Sequence, residues 1–343
     1  GLKRSARGSV SFSSSNSMDG SARSEIFCEA TSEEVIAACE LANHVFAEFS
    51  QMSNVSRGQF LRHIADLLQL QKENLEPIYC AESGLSTERF ESELLRTLRQ
   101  LYNFAELSES GAWRNVSIDT SDPNLLPPKP DLRKMSIPIG PVVVFGASNF
   151  PLAYSTIGGD VAAALAVGCP VIVKAHPAHL QTSTLVADAI QQAIKSNELP
   201  EHTFQHITAT DFSAGKALVQ DENIAAVGFT GSRSGGRALY DYASARKNPI
   251  PVFAEMGSVN PVVLLEGALT ANAETIAKNY AGSITLGMGQ FCTNPGLLLA
   301  IKSESLSNFV LELANEIAKI EPSCMLHPNI IGAYESNKSK MIA

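Results

Sequence analysis

Cys292 stands in a segment suited to present a thiol. Gly-Met-Gly precedes it at 287–289 and Thr-Asn-Pro-Gly follows it at 293–296, in a region without helical or strand periodicity. A cysteine that only packs has apolar neighbours at regular spacing, which are missing here. Cys292 is therefore a candidate nucleophile, and an inert core cysteine is the alternative.

Two further polar side chains come at the ends of predicted strands. Asn149 follows the apolar run 142–145, where its amide can donate a hydrogen bond to a developing oxyanion or simply cap the next helix. Glu255 ends a strand among apolar neighbours, which makes it either a structural hydrogen-bond acceptor or a base with a raised pKa. A thiol, an amide donor and a carboxylate are groups that acyl transfer through a cysteine uses.

Glycines and a lysine at strand ends indicate a nucleotide site. The segment 228–232 reads Gly-Phe-Thr-Gly-Ser at a strand-to-helix junction, and two more glycines follow at 235–236. Such a junction directs unpaired backbone N–H groups at a phosphate, although glycines also serve simple turns there. Lys174 ends another strand, within reach of a ribose or phosphate. A Gly-x-Gly-x-x-Gly fingerprint is missing after the first strand.

His176 and His179 lie three residues apart just after that lysine. Their spacing raises the question of a metal site, but Pro177 stands between them and neither cysteine nor carboxylate is close in sequence. We predict no metal, and interpret both histidines as turn residues at the rim of the nucleotide site.

The elements that must position these residues change in kind near residue 141. Before it, apolar residues at helical spacing predict helices over 32–51, 57–71 and 87–108, the first with an N-cap at Thr31. Beyond it, short apolar strands alternate with helices, which predicts an α/β fold with a doubly wound parallel sheet. The predicted strands are 142–145, 171–173, 204–208, 225–229, 251–255, 261–265 and 297–301, and the helices between them 154–167, 182–196, 213–219, one after 232, 272–285 and 305–317.

Composition limits the class of protein. The 343 residues are 45% apolar, carry a net charge of −9 and contain no block of basic residues after residue 7, which excludes a nucleic-acid partner. The longest apolar stretch, 161–173, is too short to cross a membrane. The 6 cysteines show no paired spacing, which favours a reducing compartment, the cytoplasm, and no structural zinc.

Five motifs occur in one order and together resemble the aldehyde dehydrogenase superfamily. The resemblance implies NAD- or NADP-dependent oxidation of an aldehyde to a carboxylic acid, through a thiohemiacetal and a thioester. It makes Cys292 the nucleophile, Asn149 with the Cys292 backbone N–H the oxyanion hole, and Glu255 the base that activates water. The matching pieces are residues 147–151, 171–174, 228–232, 255–257 with 260–261, and 289–293.

The same resemblance implies a set of cofactor-binding residues. Lys174 would contact the adenosine ribose and Ser232 a phosphate. Many NAD-preferring relatives carry Glu where Pro177 stands, so no carboxylate would repel a 2′-phosphate, and we predict tolerance of NADP or a preference for it. The full set is Phe145, Gly146, Ala147, Ser148, Lys174, His176, Pro177, Gly231, Ser232 and Gly236.

Departures from the common pattern indicate a branch of the family. Ala147-Ser148 replaces the usual Pro-Trp, and this change, with segments 158–160 and 174–179, looks like the α-ketoglutarate semialdehyde (2,5-dioxopentanoate) dehydrogenases and a bacterial fatty aldehyde dehydrogenase. We predict α-ketoglutarate semialdehyde as substrate. Arg96 and Gln100 are candidate substrate residues, and a surface or structural role is the alternative for Arg96.

Several alternatives stay open at this point. A long-chain or general aldehyde dehydrogenase, a CoA-acylating dehydrogenase and a catalytically silent nucleotide-binding module are the rival functions. Relatives continue with a Glu-x-Phe-Gly-Pro segment and a terminal strand used in oligomerisation. We therefore expect a chain whose family C-terminal part is absent and which is inactive as written, and a homo-oligomer for the complete protein.

The resemblance and the change in sequence pattern predict the domain boundaries. We predict a flexible segment over 1–30 and N-terminal helices plus a dinucleotide-binding domain over 31–257. Within it, 125–140 serves as a connector or oligomerisation arm. An incomplete α/β catalytic domain follows over 258–343.

Overall fold

Four helices dominate the N-terminal third of the computed structural model, which describes residues 8–342. Two short antiparallel strands, β1 (Ser11–Phe12) and β2 (Phe27–Cys28), precede them. Thr31 caps the first helix in a reciprocal capping box with Glu34, as its sequence predicts. The third helix was not predicted, and it contains Pro77. The helices are α1 (Ser32–Gln51), α2 (Asn54–Leu70), α3 (Lys72–Ser83) and α4 (Thr87–Ser110).

The predicted connector is part of an exposed hairpin. Strands β3 (Ser117–Asp119) and β4 (Leu132–Lys134) pair antiparallel. Both strands are exposed along their length. The apolar side chain of Leu126, between the strands, is 99% exposed.

A parallel sheet of five strands forms the centre of the chain and confirms the predicted α/β fold. Its order is β7-β6-β5-β8-β9, and every neighbouring pair is parallel. The sheet contains β5 (Val142–Phe145), β6 (Val171–Lys174), β7 (Phe204–Ile207), β8 (Ala226–Gly231) and β9 (Val252–Met256).

Helices cover both faces of this sheet. Val142 and Val144 of β5 point into one apolar core with α2, α4 and the following helices, whereas Val143 and Phe145 point into a second core with α1. Alternate residues of one strand thus serve opposite faces, which is why the strand is apolar throughout. The connecting helices are α5 (Gly159–Val167), α6 (Leu180–Ser196), α7 (Ser213–Gln220) and α8 (Arg233–Ser244).

The segment after β5 departs from the prediction. A helix was expected from residue 154, but α5 begins at Gly159 and an irregular π-type turn, Leu152–Thr156, precedes it. Tyr154 and Ser155 have non-helical backbone angles in this turn.

A second, smaller sheet follows the first. Its strands β10 (Pro261–Leu264) and β11 (Leu297–Ala300) are parallel and flank α9 (Glu266–Thr285), with α10 (Glu304–Ala318) and α11 (Pro328–Ile342) after them. Leu264, Leu269 and Phe309 belong to its small core. Between residues 8 and 342, none of the helices is long and apolar enough to cross a membrane.

Candidate active site

The predicted site residues gather where the strand order reverses. Strands β5 and β8 are neighbours, yet the chain runs from β5 outward to β7 on one side and from β8 outward to β9 on the other. Crevices outside the carboxyl ends of strands at such a point are where open α/β sheets bind ligands. The segment that holds Asn149 leaves β5 there, and Ser232 follows the end of β8.

Asn149 and the loop of Cys292 meet in the structure. The Asn149 Nδ2 donates a hydrogen bond of 2.5 Å to the carbonyl oxygen of Gln290, two residues before the cysteine. Both Asn149 and Cys292 are half-buried, and Cys292 packs beside Phe150 and Phe291. The amide donor and the thiol, 143 residues apart in sequence, are thus held in adjoining loops.

Ser258 and Asn260 hold the cysteine loop from its other side, a role that the sequence did not reveal. The Asn260 Nδ2 donates to the carbonyl oxygens of Cys292 (2.7 Å) and Asn294 (2.9 Å), and the Ser258 hydroxyl donates to the Cys292 carbonyl. Asn260 has φ +47°, a left-handed conformation that asparagine tolerates better than most residues. Residues 260–261 belonged to one of the matching motifs, but the partners of the Asn260 side chain could not be predicted from local sequence.

Glu255 lies near the end of a strand, as predicted, and is open to solvent. It sits on the edge strand β9 opposite Thr230 and is exposed in this chain. Its apolar neighbours do not enclose it within residues 8–342, since Phe253 is 66% and Met256 37% exposed. The strand end leads within three residues to Ser258, which connects Glu255 to the cysteine loop.

The predicted phosphate site is a helix start on closely packed backbone. Ser232 is the exposed N-cap of the 12-residue α8, and its hydroxyl accepts a hydrogen bond from the Gly235 N–H at 3.2 Å. A Cβ on Gly236 would lie 2.4 Å from the Met256 side chain, and one on Gly231 would lie 2.7 Å from the Phe229 ring. A larger residue would displace the Met256 side chain at position 236 and the Phe229 ring at position 231, so glycine suits both positions.

Lys174 ends β6 as the prediction requires. Burial lowers the pKa of its ammonium to about 8, while the carboxylates of Glu29 and Asp211 act in the opposite direction. A partly buried cation beside a helix start fits a ribose hydroxyl or a phosphate oxygen. The structure thus offers residues that suit a dinucleotide.

The two histidines lie at a turn, as the sequence predicted, but they differ in exposure. His176 caps the short turn Pro177–His179, and its Nδ1 accepts a hydrogen bond from the Ala178 N–H at 3.1 Å. His179 is fully buried, and its Nε2 lies 2.9 Å from the Ala147 carbonyl oxygen, so its placement at the rim is wrong. Burial, the largest cause, lowers the pKa of His176 well below its usual value. No cluster able to hold a metal ion occurs among the residues that the structure describes.

The candidate substrate residues lie on α4, facing the turn after β5. Arg96 is exposed, donates a hydrogen bond to the Tyr154 hydroxyl and places its guanidinium carbon 5.0 Å from the centre of that ring. The Oε1 of Gln100 is buried and has no hydrogen-bond partner within residues 8–342. The contact with Tyr154 is of the kind that a structural arginine makes, and the exposed guanidinium is open to a substrate as well.

Two charged residues of α4 contact the candidate site, and their role was not predicted from the sequence. Glu93 is fully buried and accepts hydrogen bonds from the N–H groups of Leu152 (2.8 Å) and Ala153 (3.0 Å). Arg89 lies beside the paired rings of Phe150 and Phe291 and contacts both of them. Charged residues on an amphipathic helix are usually solvated, so the helical pattern did not indicate that these two residues contact the site.

Comparison with known proteins gives a consistent result. The model of the family described as "Aldehyde dehydrogenase family" matches residues 8–339. Alpha-ketoglutaric semialdehyde dehydrogenase 2 of Azospirillum brasilense is 46% identical over 92% of this chain and 60% of its own length. The alpha-ketoglutaric semialdehyde dehydrogenase of Acinetobacter baylyi is 41% identical over 97% of this chain and 63% of its own length. The chain thus spans less than two thirds of these curated relatives.

A solved structure shows the same fold. The NAD-dependent benzaldehyde dehydrogenase of Corynebacterium glutamicum superposes with a TM-score of 0.77 at 21% identity, over 92% of this chain and 65% of that one. At this level of identity the likeness concerns the fold, including the parallel sheet and its helices.

Proposed function

The chain belongs to the aldehyde dehydrogenase family, and we propose that the protein containing it oxidises an aldehyde to a carboxylic acid with NAD or NADP. The reaction proceeds through a thioester on Cys292. The observation that carries this proposal is the hydrogen bond from Asn149 to Gln290, because it holds an amide donor beside the cysteine loop.

In the first step the Cys292 thiolate attacks the aldehyde carbon and forms a thiohemiacetal. The Asn149 amide carries two hydrogens, of which one is donated to the Gln290 carbonyl, so the second is free to donate to the substrate oxygen. The Cys292 backbone N–H is the other proposed donor. Donors fixed before the reaction stabilise the developing oxyanion without reorganisation.

The dinucleotide is held by residues at the strand ends. We place the adenosine ribose against Lys174 and a phosphate at Ser232, where α8 begins. When bound, the cofactor supplies the hydride acceptor that converts the thiohemiacetal to the thioester. Pro177 leaves that position without a carboxylate, which supports the use of NADP.

Glu255 is the proposed base of the second step, in which water hydrolyses the thioester. Its exposure on β9 leaves the carboxylate open to water. The short link from Glu255 to Ser258, whose hydroxyl donates to the Cys292 carbonyl, keeps the strand end beside the cysteine loop. Proton removal from water by a carboxylate then regenerates the free thiol and releases the acid.

The proposed substrate is α-ketoglutarate semialdehyde. Two relatives at 46% and 41% identity carry names that refer to this compound, which supports the choice. Arg96 and Gln100 remain proposed contacts for its polar end, because the keto-acid end of this compound offers only acceptors and a guanidinium and a side-chain amide N–H can both donate to it.

We also propose the wider organisation of the protein. Residues 31–257 make up the N-terminal helices plus the dinucleotide-binding domain, 258–343 belong to the catalytic domain, and the segment 125–140 packs on another subunit of a homo-oligomer. The exposed apolar side chain of Leu126 in that segment supports the last point. All 6 cysteines are free, which supports the cytoplasm as its compartment.

The direct test of this function is a cofactor-linked assay on the purified full-length protein. NADPH and NADH formation are followed with α-ketoglutarate semialdehyde, with a long-chain aldehyde and without substrate. We expect formation with the semialdehyde, its loss in Cys292→Ala and its retention in Cys80→Ala, a matched control on α3. Turnover of Cys292→Ala at the wild-type rate would show that the chemistry does not pass through this thiol.

A further inference from the structure

Arg89 connects the two loops that carry the proposed catalytic groups. Its guanidinium carbon lies 4.6 Å from the centre of the Phe150 ring and 4.7 Å from that of Phe291. The two rings are themselves 5.0 Å apart. Phe150 follows Asn149 and Phe291 precedes Cys292, so one cation contacts the sequence neighbour of the amide donor and that of the thiol.

Glu93 holds this cation from one helical turn away. Its side chain is fully buried, and its Oε2 lies 3.6 Å from the Arg89 Nη2 and accepts a hydrogen bond of 2.6 Å from the Tyr79 hydroxyl. Its Oε1 accepts the two N–H groups of Leu152 and Ala153, in the turn just after Phe150. A buried carboxylate with three donors has little freedom, so Glu93 fixes both the turn and the position of Arg89.

The contacts of Arg89 differ from those of a buried arginine that only supports the fold. Arg57 is such a residue, since it donates hydrogen bonds to the carbonyl of Ala166 (3.1 Å) and the side chain of Asn54 (2.6 Å). The Nε and Nη2 of Arg89 are buried but have no hydrogen-bond partner within residues 8–342. The Arg89 side chain is 24% exposed, and its partners are the two rings and the charge of Glu93. A partly desolvated cation in this arrangement is attracted by both ring faces.

We propose that Arg89 is a positioning residue that sets the spacing between the Asn149 amide and the Cys292 thiol. It acts through Phe150 and Phe291, and Glu93 keeps it in place. Rates depend steeply on such spacing, because a displacement of about 1 Å can cost on the order of a hundredfold in rate. This inference rests on the proposed function, since it assigns a role to Arg89 in the same reaction.

The test is a double-mutant cycle on the full-length protein, with the pre-steady-state burst of NADPH as readout. We expect Arg89→Met to lower the burst rate on the order of tenfold, which is less than the loss of a whole oxyanion donor, without a matching rise in KM. In an Asn149→Ala background the same change should lower it less than twofold, because its effect passes through Asn149. Arg99→Met, at an exposed position of the same helix, is the matched control and should leave the rate unchanged.

The conservative variant separates positioning from folding. Arg89→Lys keeps a cation near the rings, and we expect it to recover part of the burst rate and to show the same dependence on Asn149. Should Arg89→Met fail to fold, Arg89→Lys carries the cycle alone. Equal fold-losses in the wild-type and Asn149→Ala backgrounds, or a loss in KM alone, would overturn the positioning role.

The outcomes of these experiments distinguish a failure of the positioning role of Arg89 from a failure of the proposed function. A wild-type protein without any cofactor-linked burst on the tested aldehydes would refute the proposed function and the role of Arg89 with it. A wild-type burst that Cys292→Ala removes and Arg89→Met leaves intact would refute only the role of Arg89.

Discussion

The side-chain amide of Asn149 donates a hydrogen bond to the main-chain carbonyl of Gln290, which lies two residues before Cys292. This bond ties the loop after β5, in the parallel sheet, to the loop before β11, in the smaller one. Asn260 holds the other side of the cysteine loop through the carbonyls of Cys292 and Asn294. The thiol is therefore positioned from both directions by asparagine side chains.

Removal of the Asn149 amide should slow acylation. We expect Asn149→Ala to reduce the burst rate by about 10²–10³-fold, as for the loss of one oxyanion donor, with a small change in KM. Asn103→Ala, an exposed asparagine on α4, is the control. A burst rate within twofold of the wild type would rule out Asn149 as an oxyanion donor.

Asn260 offers a way to separate its hydrogen bonds from its backbone conformation. Asn260→Gly removes the amide but suits the left-handed φ of +47°, and we expect it to cost about 0.5–1.5 kcal/mol of unfolding free energy. Asn260→Ala adds backbone strain and should cost about 1 kcal/mol more. Urea unfolding measures both. If the two variants were equally stable, the left-handed conformation would not matter for stability.

The affinity for NADP should depend on the protonation of Lys174. Because its pKa is about 8, the lysine is charged below that pH and neutral well above it. A phosphate binds the charged form better, so we expect NADP affinity to be highest below pH 8 and to fall as the pH rises through this value. Fluorescence titration of NADP from pH 6.5 to 9.5 measures this. Lys174→Met should bind weakly at every pH, and a wild-type decline that persisted in this variant would assign it to another group.

The choice between NADP and NAD should respond to charge at position 177. Pro177→Glu places a carboxylate after Lys174, and we expect it to weaken NADP binding at least tenfold relative to NAD, or about 1.4 kcal/mol. Pro177→Gln removes the ring without adding charge and controls for the loss of proline. An equal effect of both substitutions on the NADP to NAD ratio would show that charge is not the determinant.

Acid should destabilise the fold in part through His206. Burial, with a smaller effect of His179, lowers the pKa of His206 to about 4, whereas in an unfolded chain it is about 6.5. Between these two pH values the unfolded chain therefore binds a proton that the folded protein does not. The contribution of His206 to the free energy of unfolding is fully present above pH 6.5 and is lost as the pH drops toward 4.

Chemical unfolding at several pH values measures this slope. We expect His206→Gln to make it shallower by up to one proton, while His44→Gln, at an exposed position of α1, leaves it unchanged. An unchanged slope in His206→Gln would assign the acid sensitivity to the other buried histidines.

The parallel sheet could be predicted from the sequence, because strands that are buried on both faces are continuous apolar runs. Residues 142–145 form an unbroken apolar run, and the structure shows alternate residues serving two cores. The turn at 152–156 could not be predicted, since Glu93 holds its irregular backbone by hydrogen bonds to Leu152 and Ala153, which lie 59 and 60 residues later in the chain. The helical pattern of the sequence therefore predicted a start of α5 at residue 154, before its observed start at Gly159.

Within the site, local sequence was informative where a residue type stood in an unusual setting. Cys292 and Asn149 follow glycine-rich or strand-end segments, and their loops do meet. The exposure of Glu255 could not be predicted from its apolar neighbours, because they bury a carboxylate only when another layer covers them, and β9 is the edge strand here. Arg89 and Glu93 were missed because their contacts are made across the fold and a helix pattern treats both as solvated.

The thioester on Cys292 can be observed directly by mass spectrometry. Glu255→Gln should acylate normally but hydrolyse slowly, so the full-length variant mixed with α-ketoglutarate semialdehyde and NADP should gain the mass of one acyl group. We expect peptide mapping to place that group on Cys292, and Cys292→Ala in the same background to gain none. An acyl group on another residue, or turnover without any acylated Cys292, would contradict the central claim that this thiol is the nucleophile.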